Sequence, residues 1–155
     1  LDQKRVLLLG FSGGAAVSIY VAAHRKEIAA VVSCASPAEF KDLMRDEELK
    51  EFLAHARSVR IIREANFPAS IEEWKRSFRI VKPLNWVDRI PPRPLLIIHG
   101  TEDDVVDISQ ARNLYGKVEG KAELFLIEGA GHRLRVEERA MKKALEWLKS
   151  IAFSA

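Results

Sequence analysis

The chain has 155 residues, 48% of them apolar and 30% charged, and carries a formal net charge of +3 at pH 7. This is the composition of one soluble globular domain with a sizeable core. Lys and Arg alternate with Asp and Glu, so no basic stripe marks a nucleic-acid partner, and no apolar run nears the roughly 18 residues of a membrane span.

The single cysteine, Cys34, excludes an intrachain disulfide and points to a reducing, cytoplasmic compartment. Near the start, Arg5-Val6-Leu7-Leu8-Leu9 holds an unbroken apolar run over 6–9, the pattern of a strand buried on both faces of a parallel sheet. A strand of this type needs a neighbour on each side, because an exposed edge invites mispairing. The expectation is therefore a C-terminal part of a larger fold, completed by an upstream segment, a companion chain or a swapped partner.

Gly10-Phe11-Ser12-Gly13-Gly14 follows. It fits G-x-S-x-G, and the Ala-rich pattern predicts a helix over 13–26 with Ala16, Val17, Ile19, Tyr20 and Ala23 inward. A sharp turn between strand and helix forces the central residue into a strained conformation with its side chain exposed. Gly10 and Gly14 would let strand and helix approach closely. The Gly13 amide would face the same space as the Ser12 hydroxyl. Read by itself, the turn also fits a phosphate held at a helix N-terminus.

A second buried-type strand is predicted over 28–35, with Cys34 a small buried apolar residue. Residues 38–90 form the longest segment between strands. Phe40, Leu43, Met44, Leu49, Phe52, Leu53 and Ala56 recur at helical spacing, so 39–59 reads as one or two helices. Ser70-Ile71-Glu72-Glu73 is a capping box, opening a short helix with Ile71, Trp74 and Phe78 on one face. Pro83 stops it, and 85–90 reads as a further helical turn. The place of this segment, beyond a strand's carboxyl end, favours a lid-like insertion at about 38–90 that contributes to a substrate pocket.

Residues 95–100 are a third buried-type strand, followed by the polar loop Thr101-Glu102-Asp103-Asp104. A helix over 109–118, a strand over 122–127 and a glycine-rich turn, Glu128-Gly129-Ala130-Gly131-His132, come next. The terminal helix is read over 136–153, with Val136, Ala140, Met141, Ala144, Leu145, Leu148 and Ile151 on its core face. Strands alternating with helices predict an α/β fold: a parallel sheet with helices on both faces.

In such sheets the site lies at the carboxyl ends of the strands. Ser12, the Asp103–Asp104 pair and His132 each follow a predicted strand end, in the chain order Ser, Asp, His. A serine hydroxyl needs a base to become a nucleophile. His132 can take its proton and return it to a leaving group. A carboxylate would hold the imidazole tautomer, and either aspartate fits that role at this point. His99 reads as a structural histidine at a strand end, and His24 and His55 as solvated helix residues. The histidines lack metal-site spacing, so no metal is expected.

The three loops closely resemble those of the α/β-hydrolase superfamily, in its serine esterase, lipase and prolyl-oligopeptidase-like branches. The matching motifs are Gly10-Phe11-Ser12-Gly13-Gly14, His99-Gly100-Thr101-Glu102-Asp103 and Gly129-Ala130-Gly131-His132. In the family's acid loop the carboxylate stands three residues after the Gly, which selects Asp103. Val106 is followed by Asp107, where the family often has Val-Pro. The resemblance implies the second half of the fold, with 6–9 as the nucleophile strand and the earlier strands absent from this sequence. It implies a Ser12–Asp103–His132 triad with Gly13 as one oxyanion donor, the second donor coming from a loop also absent here. The implied activity is hydrolysis of a small-molecule ester or acyl substrate through an acyl-enzyme, with no cofactor. A prolyl-oligopeptidase-like peptidase, a thioesterase and a non-catalytic binding module of the same fold are the alternatives.

Overall fold

The computed structural model describes residues 6–40 and 46–153. Leu43 and Met44 of the helix predicted over 39–59 lie outside the described residues. Two compact units emerge, one running to Ala38 and resuming at Lys82, the other spanning Glu39–Val81.

The first unit is built on four parallel strands in the order β1 (Val6–Phe11), β2 (Ile28–Cys34), β3 (Leu95–Gly100) and β4 (Glu123–Ile127). The aliphatic runs explain the central strands, which are buried on both faces. Every residue of β3 is buried, as is all of β2 except Ala29. The two-residue period sends Val31, Leu95 and Ile97 to one face, and Ala30, Val32, Leu96 and Ile98 to the other. Helix α1 (Gly13–His24) covers the first face with Ile19 and Ala22. Two short 3-10 turns, Pro83–Asn85 and Val87–Arg89, add Val87 to the same cluster.

Three predicted helices of this unit shift at their ends. Helix α1 stops at His24 rather than at residue 26 and buries Ala15, Ala16, Ile19 and Ala22, leaving Val17 half exposed. The 15–19–22 spacing sets the inward stripe. The second helix of this unit begins at Ile108 because the Asp107 carboxylate accepts from Ser109 N at 2.8 Å, an N-cap. Its Ala111 and Leu114 join the first face. The largest shift is at the end. A 3-10 turn at Leu134–Val136 precedes a helix that starts only at Glu138 and runs to Phe153. Its buried stripe is Ala140, Ala144 and Trp147, so Val136 and Leu145, expected inward, are exposed and Trp147 takes their place against the second face.

The second unit holds α2 (Asp46–Ser58) and α3 (Ile71–Val81). Asp46, Glu47 and Glu48 open α2 and Arg57 closes it, complementing the helix dipole. Half of the capping box of α3 is formed, with Glu73 N donating to Ser70 Oγ at 3.2 Å. Trp74 meets the rings of Phe52, Phe67 and Phe78, and Lys75 pairs with Asp46. From here α4 denotes Ile108–Lys117 and α5 denotes Glu138–Phe153. Among the described residues no helix is long and apolar enough to cross a membrane.

Candidate active site

The turn from β1 into α1 is an elbow. Ser12 stands at φ 52° and ψ −126°, a backbone region that side-chain-bearing residues rarely occupy. Two sets of hydrogen bonds hold it there. Ser12 N donates to Cys34 O at 2.9 Å, and Ser12 O accepts from Ala15 N and Ala16 N at 2.9 and 3.2 Å. Gly10 permits the close approach, since a Cβ there would lie 2.6 Å from Ala15 Cα and from Gly14 O. Gly14 faces open space, so the role expected of both glycines belongs to Gly10 alone. Gly13 N is the first amide of α1 and has no carbonyl a turn earlier in the helix to accept from it.

The acid loop leaves the end of β3. Asp103 folds back into an Asx turn, its Oδ1 accepting from Val105 N at 3.0 Å and Val106 N at 2.8 Å. Its carboxylate is fully buried, while Asp104 is exposed. The histidine loop leaves the end of β4 and is anchored by buried Ala130 and Leu134, on either side of His132. The two loops are fastened together. Thr101 N donates to Ile127 O and Glu102 N to Ala130 O, each at 3.0 Å, and Gly129 N donates to Thr101 Oγ1 at 2.9 Å. Gly100 makes this possible, because a Cβ there would sit 2.1 Å from Ala130 O.

These loops bring Ser12, His132 and Asp103 into one hydrogen-bonded line. Ser12 Oγ lies 3.0 Å from His132 Nε2. His132 Nδ1 lies 3.0 and 2.9 Å from the two oxygens of Asp103. A carboxylate opposite Nδ1 fixes the proton there, which leaves the Nε2 lone pair facing the serine hydroxyl. The imidazole is about one-fifth exposed, between a buried acid and open space. A cleft of about 510 Å³ opens beside it, lined by Val105, Val136, Asp104 and Arg133 among others.

The remaining titratable candidates separate from this line. His24 and His55 are exposed on helices. Cys34 is buried, and desolvation pushes its thiol up to about 12, which makes it inert as a nucleophile. Among the described residues no three His, Cys, Asp or Glu side chains gather as a metal site. Sequence reasoning missed Thr101 and the link between His99 and the acid loop. His99 Nε2 lies 2.7 Å from Val106 O and 3.4 Å from Asp103 Oδ2. The Gly-Thr pair at a strand end was the available signal for the first, and the i,i+4 spacing of His99 and Asp103 for the second.

Comparison with known proteins places these features in a wider group. The BD-FAE family model matches residues 1–118, a span that includes Ser12 and Asp103. Human alpha/beta hydrolase domain-containing protein 17B is 49% identical over 39 residues, which are 25% of this chain and 14% of that protein. Among solved structures, the Pyrococcus furiosus esterase Pf2001 superposes with a TM-score of 0.60 at 23% identity, covering 94% of this chain and 53% of the esterase. A puromycin-hydrolyzing peptidase of Mycobacterium tuberculosis superposes with a TM-score of 0.65 at 18% identity, covering 92% of this chain and 21% of the peptidase. The match therefore spans a small part of the curated relative and about half or less of these solved chains.

Proposed function

As this chain belongs to the BD-FAE family within the α/β-hydrolase superfamily, we propose that it is a serine hydrolase of carboxylic esters working through an acyl-enzyme. The observation that carries this reading is the continuous line from Ser12 Oγ through His132 to Asp103, with contacts of 3.0 and 2.9 Å. Ser12 Oγ attacks the acyl carbon as its proton passes to His132 Nε2. Asp103 holds the imidazole and stabilises its charged form. The Gly13 amide donates to the oxyanion, a type of contact whose loss typically costs about 10²–10³ in rate. Collapse expels the alcohol, which leaves with the proton from His132. Water then attacks the acyl-enzyme with His132 again as base, releasing the carboxylate and restoring Ser12.

The second oxyanion donor belongs, on this reading, to a segment that also pairs with the outer edge of β1. That segment is upstream in the same polypeptide, in a companion chain or in a swapped partner. Its support is that β1 ends the strand order, with Val6 exposed and Leu7–Leu9 only half buried.

The test is kcat/KM on p-nitrophenyl esters of graded acyl length, acyl thioesters and peptide p-nitroanilides, with Ser12→Ala alongside. Ester cleavage that falls about 10³–10⁶-fold in the variant is the expected result. A preference for the anilides or the thioesters would move the assignment to a peptidase or a thioesterase. Ester turnover unchanged in Ser12→Ala would overturn it.

A further inference from the structure

His99 is a fully buried histidine that the proposed chemistry does not use. It sits in β3 with aliphatic residues before it, where a leucine or methionine would satisfy packing. Its Nδ1 is buried and has no hydrogen-bond partner among the described residues. An orphaned buried polar atom is unfavourable, so packing alone does not account for the imidazole. The other nitrogen shows what it does. Nε2 lies 2.7 Å from Val106 O, which can only accept, so the ring proton resides on Nε2. The same N–H lies 3.4 Å from Asp103 Oδ2.

Val106 is the residue whose amide donates to Asp103 Oδ1. His99 thus holds the carbonyl of the peptide group following Val106, at the close of the Asx turn, and also faces the outer oxygen of the carboxylate. Four N–H groups surround Asp103: two backbone amides, His132 Nδ1 and His99 Nε2. Only His99 comes from the rigid strand beneath the loop.

We propose that His99 is a positioning residue: its Nε2–H ties the 103–106 turn to β3 and so aims the Asp103 carboxylate at His132 Nδ1. The catalytic part of this proposal rests on the serine-hydrolase reading, but its geometric part does not. Displacement of a reacting group by about 1 Å can lower rate about 10²-fold, so loss of the tie acts on kcat more than on KM.

The experiment separates the two parts. Imidazole ¹⁵N spectra of the wild-type polypeptide report the tautomer of His99, and the downfield proton spectrum reports His132 Nδ1–H held by Asp103. The expected results are an Nε2–H tautomer at His99 and a protected His132 Nδ1–H signal. That signal persists in His99→Gln, which keeps a donor at similar reach, and is lost in His99→Leu and His99→Met with the amide spectrum otherwise preserved. Fluorophosphonate labelling of Ser12 falls about tenfold to hundredfold in Leu and Met and recovers in Gln. An Nδ1–H tautomer at His99 overturns the proposal even if neither apolar variant folds, as does an unchanged His132 signal in a folded apolar variant. If the spectra behave as expected while wild-type Ser12 is never labelled, the hydrolase reading fails and the positioning role stands.

Discussion

The two ends of the parallel sheet are built on opposite terms. At the amino end, the Arg93 guanidinium donates to the carbonyls of Arg25, Ile28, Arg89 and Ile90 at 3.0–3.2 Å. One side chain there closes the turn between α1 and β2 and the entry to β3, while the turn before β4 carries Glu119 at φ 53° and Gly120 at φ 74°. At the carboxyl end, Ser12 and Ala35 stand at φ 52° and 50°, Asp103 and His99 are buried, and His99 Nδ1 has no hydrogen-bond partner among the described residues. Buried polar groups collect where loops converge on the proposed reacting centre, and at the opposite end four backbone carbonyls satisfy the Arg93 guanidinium. The contrast teaches that one sheet can be anchored at one end and held poised at the other.

The sharpest way to break that contrast is at Ser12. Ser12→Ala should lose about 10³–10⁶-fold in kcat/KM with little change in melting temperature. Ser12→Gly should lose as much activity yet gain roughly 1 kcal/mol of stability, because glycine accepts the elbow conformation without strain. A denaturant titration of both variants checks the sign, and a destabilised Ser12→Gly would contradict the strain assignment.

Gly100→Ala comes next. Its Cβ would meet Ala130 O at 2.1 Å and Ala130 C at 2.6 Å, both backbone atoms, so the acid and histidine loops must part. The expected loss is about 1–3 kcal/mol of stability and about 10²-fold in rate, read by thermal melts and steady-state kinetics on the same sample.

Arg93→Ala tests the other end. It should cost about 1–3 kcal/mol, through four carbonyls that lose a charged donor, while kcat/KM stays at the wild-type value at temperatures where the variant remains folded. A tenfold fall in rate there would show that the two ends are coupled.

The smallest effect concerns Cys34, whose thiol burial pushes from an ordinary 9.0 up to about 12. The folded state keeps its proton over a range where the unfolded state has lost it. Stability from this group is therefore complete below about pH 9 and declines as pH rises from there toward about 12. At pH 10 the difference is about 1 kcal/mol, and Cys34→Ala should flatten that part of the stability profile.

Much of this arrangement was legible because it is local. The aliphatic runs at 6–9 and 95–98 read as buried strands, and the glycine-rich turn carrying Ser12 directly after one of them reads as an elbow rather than a phosphate-binding turn once Asp103 and His132 are weighed with it. Asp103 was separated from Asp104 by resemblance rather than by chemistry, and the Asx turn with Val105 and Val106 now gives the chemical difference. What stayed hidden depends on distant parts meeting. Gly100 reads as an ordinary strand end until Ala130 is packed on it. Trp147 was hidden by helix phase: a 3-10 turn at Leu134–Val136 resets the start of α5, so the expected face holds at Ala140, Ala144, Leu148 and Ile151 but wrongly takes in Val136 and Leu145 and misses Trp147. The tie from His99 to Asp103 depends on the loop folding back along the strand it has just left, which no periodicity encodes.

The most direct measurement of the central claim is intact-mass labelling with a fluorophosphonate, followed by peptide mapping, on the natural polypeptide containing this chain and on its Ser12→Ala variant. A single adduct on Ser12, absent from the variant and slowed by His132→Ala, is the expected result. No adduct on the wild-type protein, or one that survives in Ser12→Ala, would contradict an activated serine at this site.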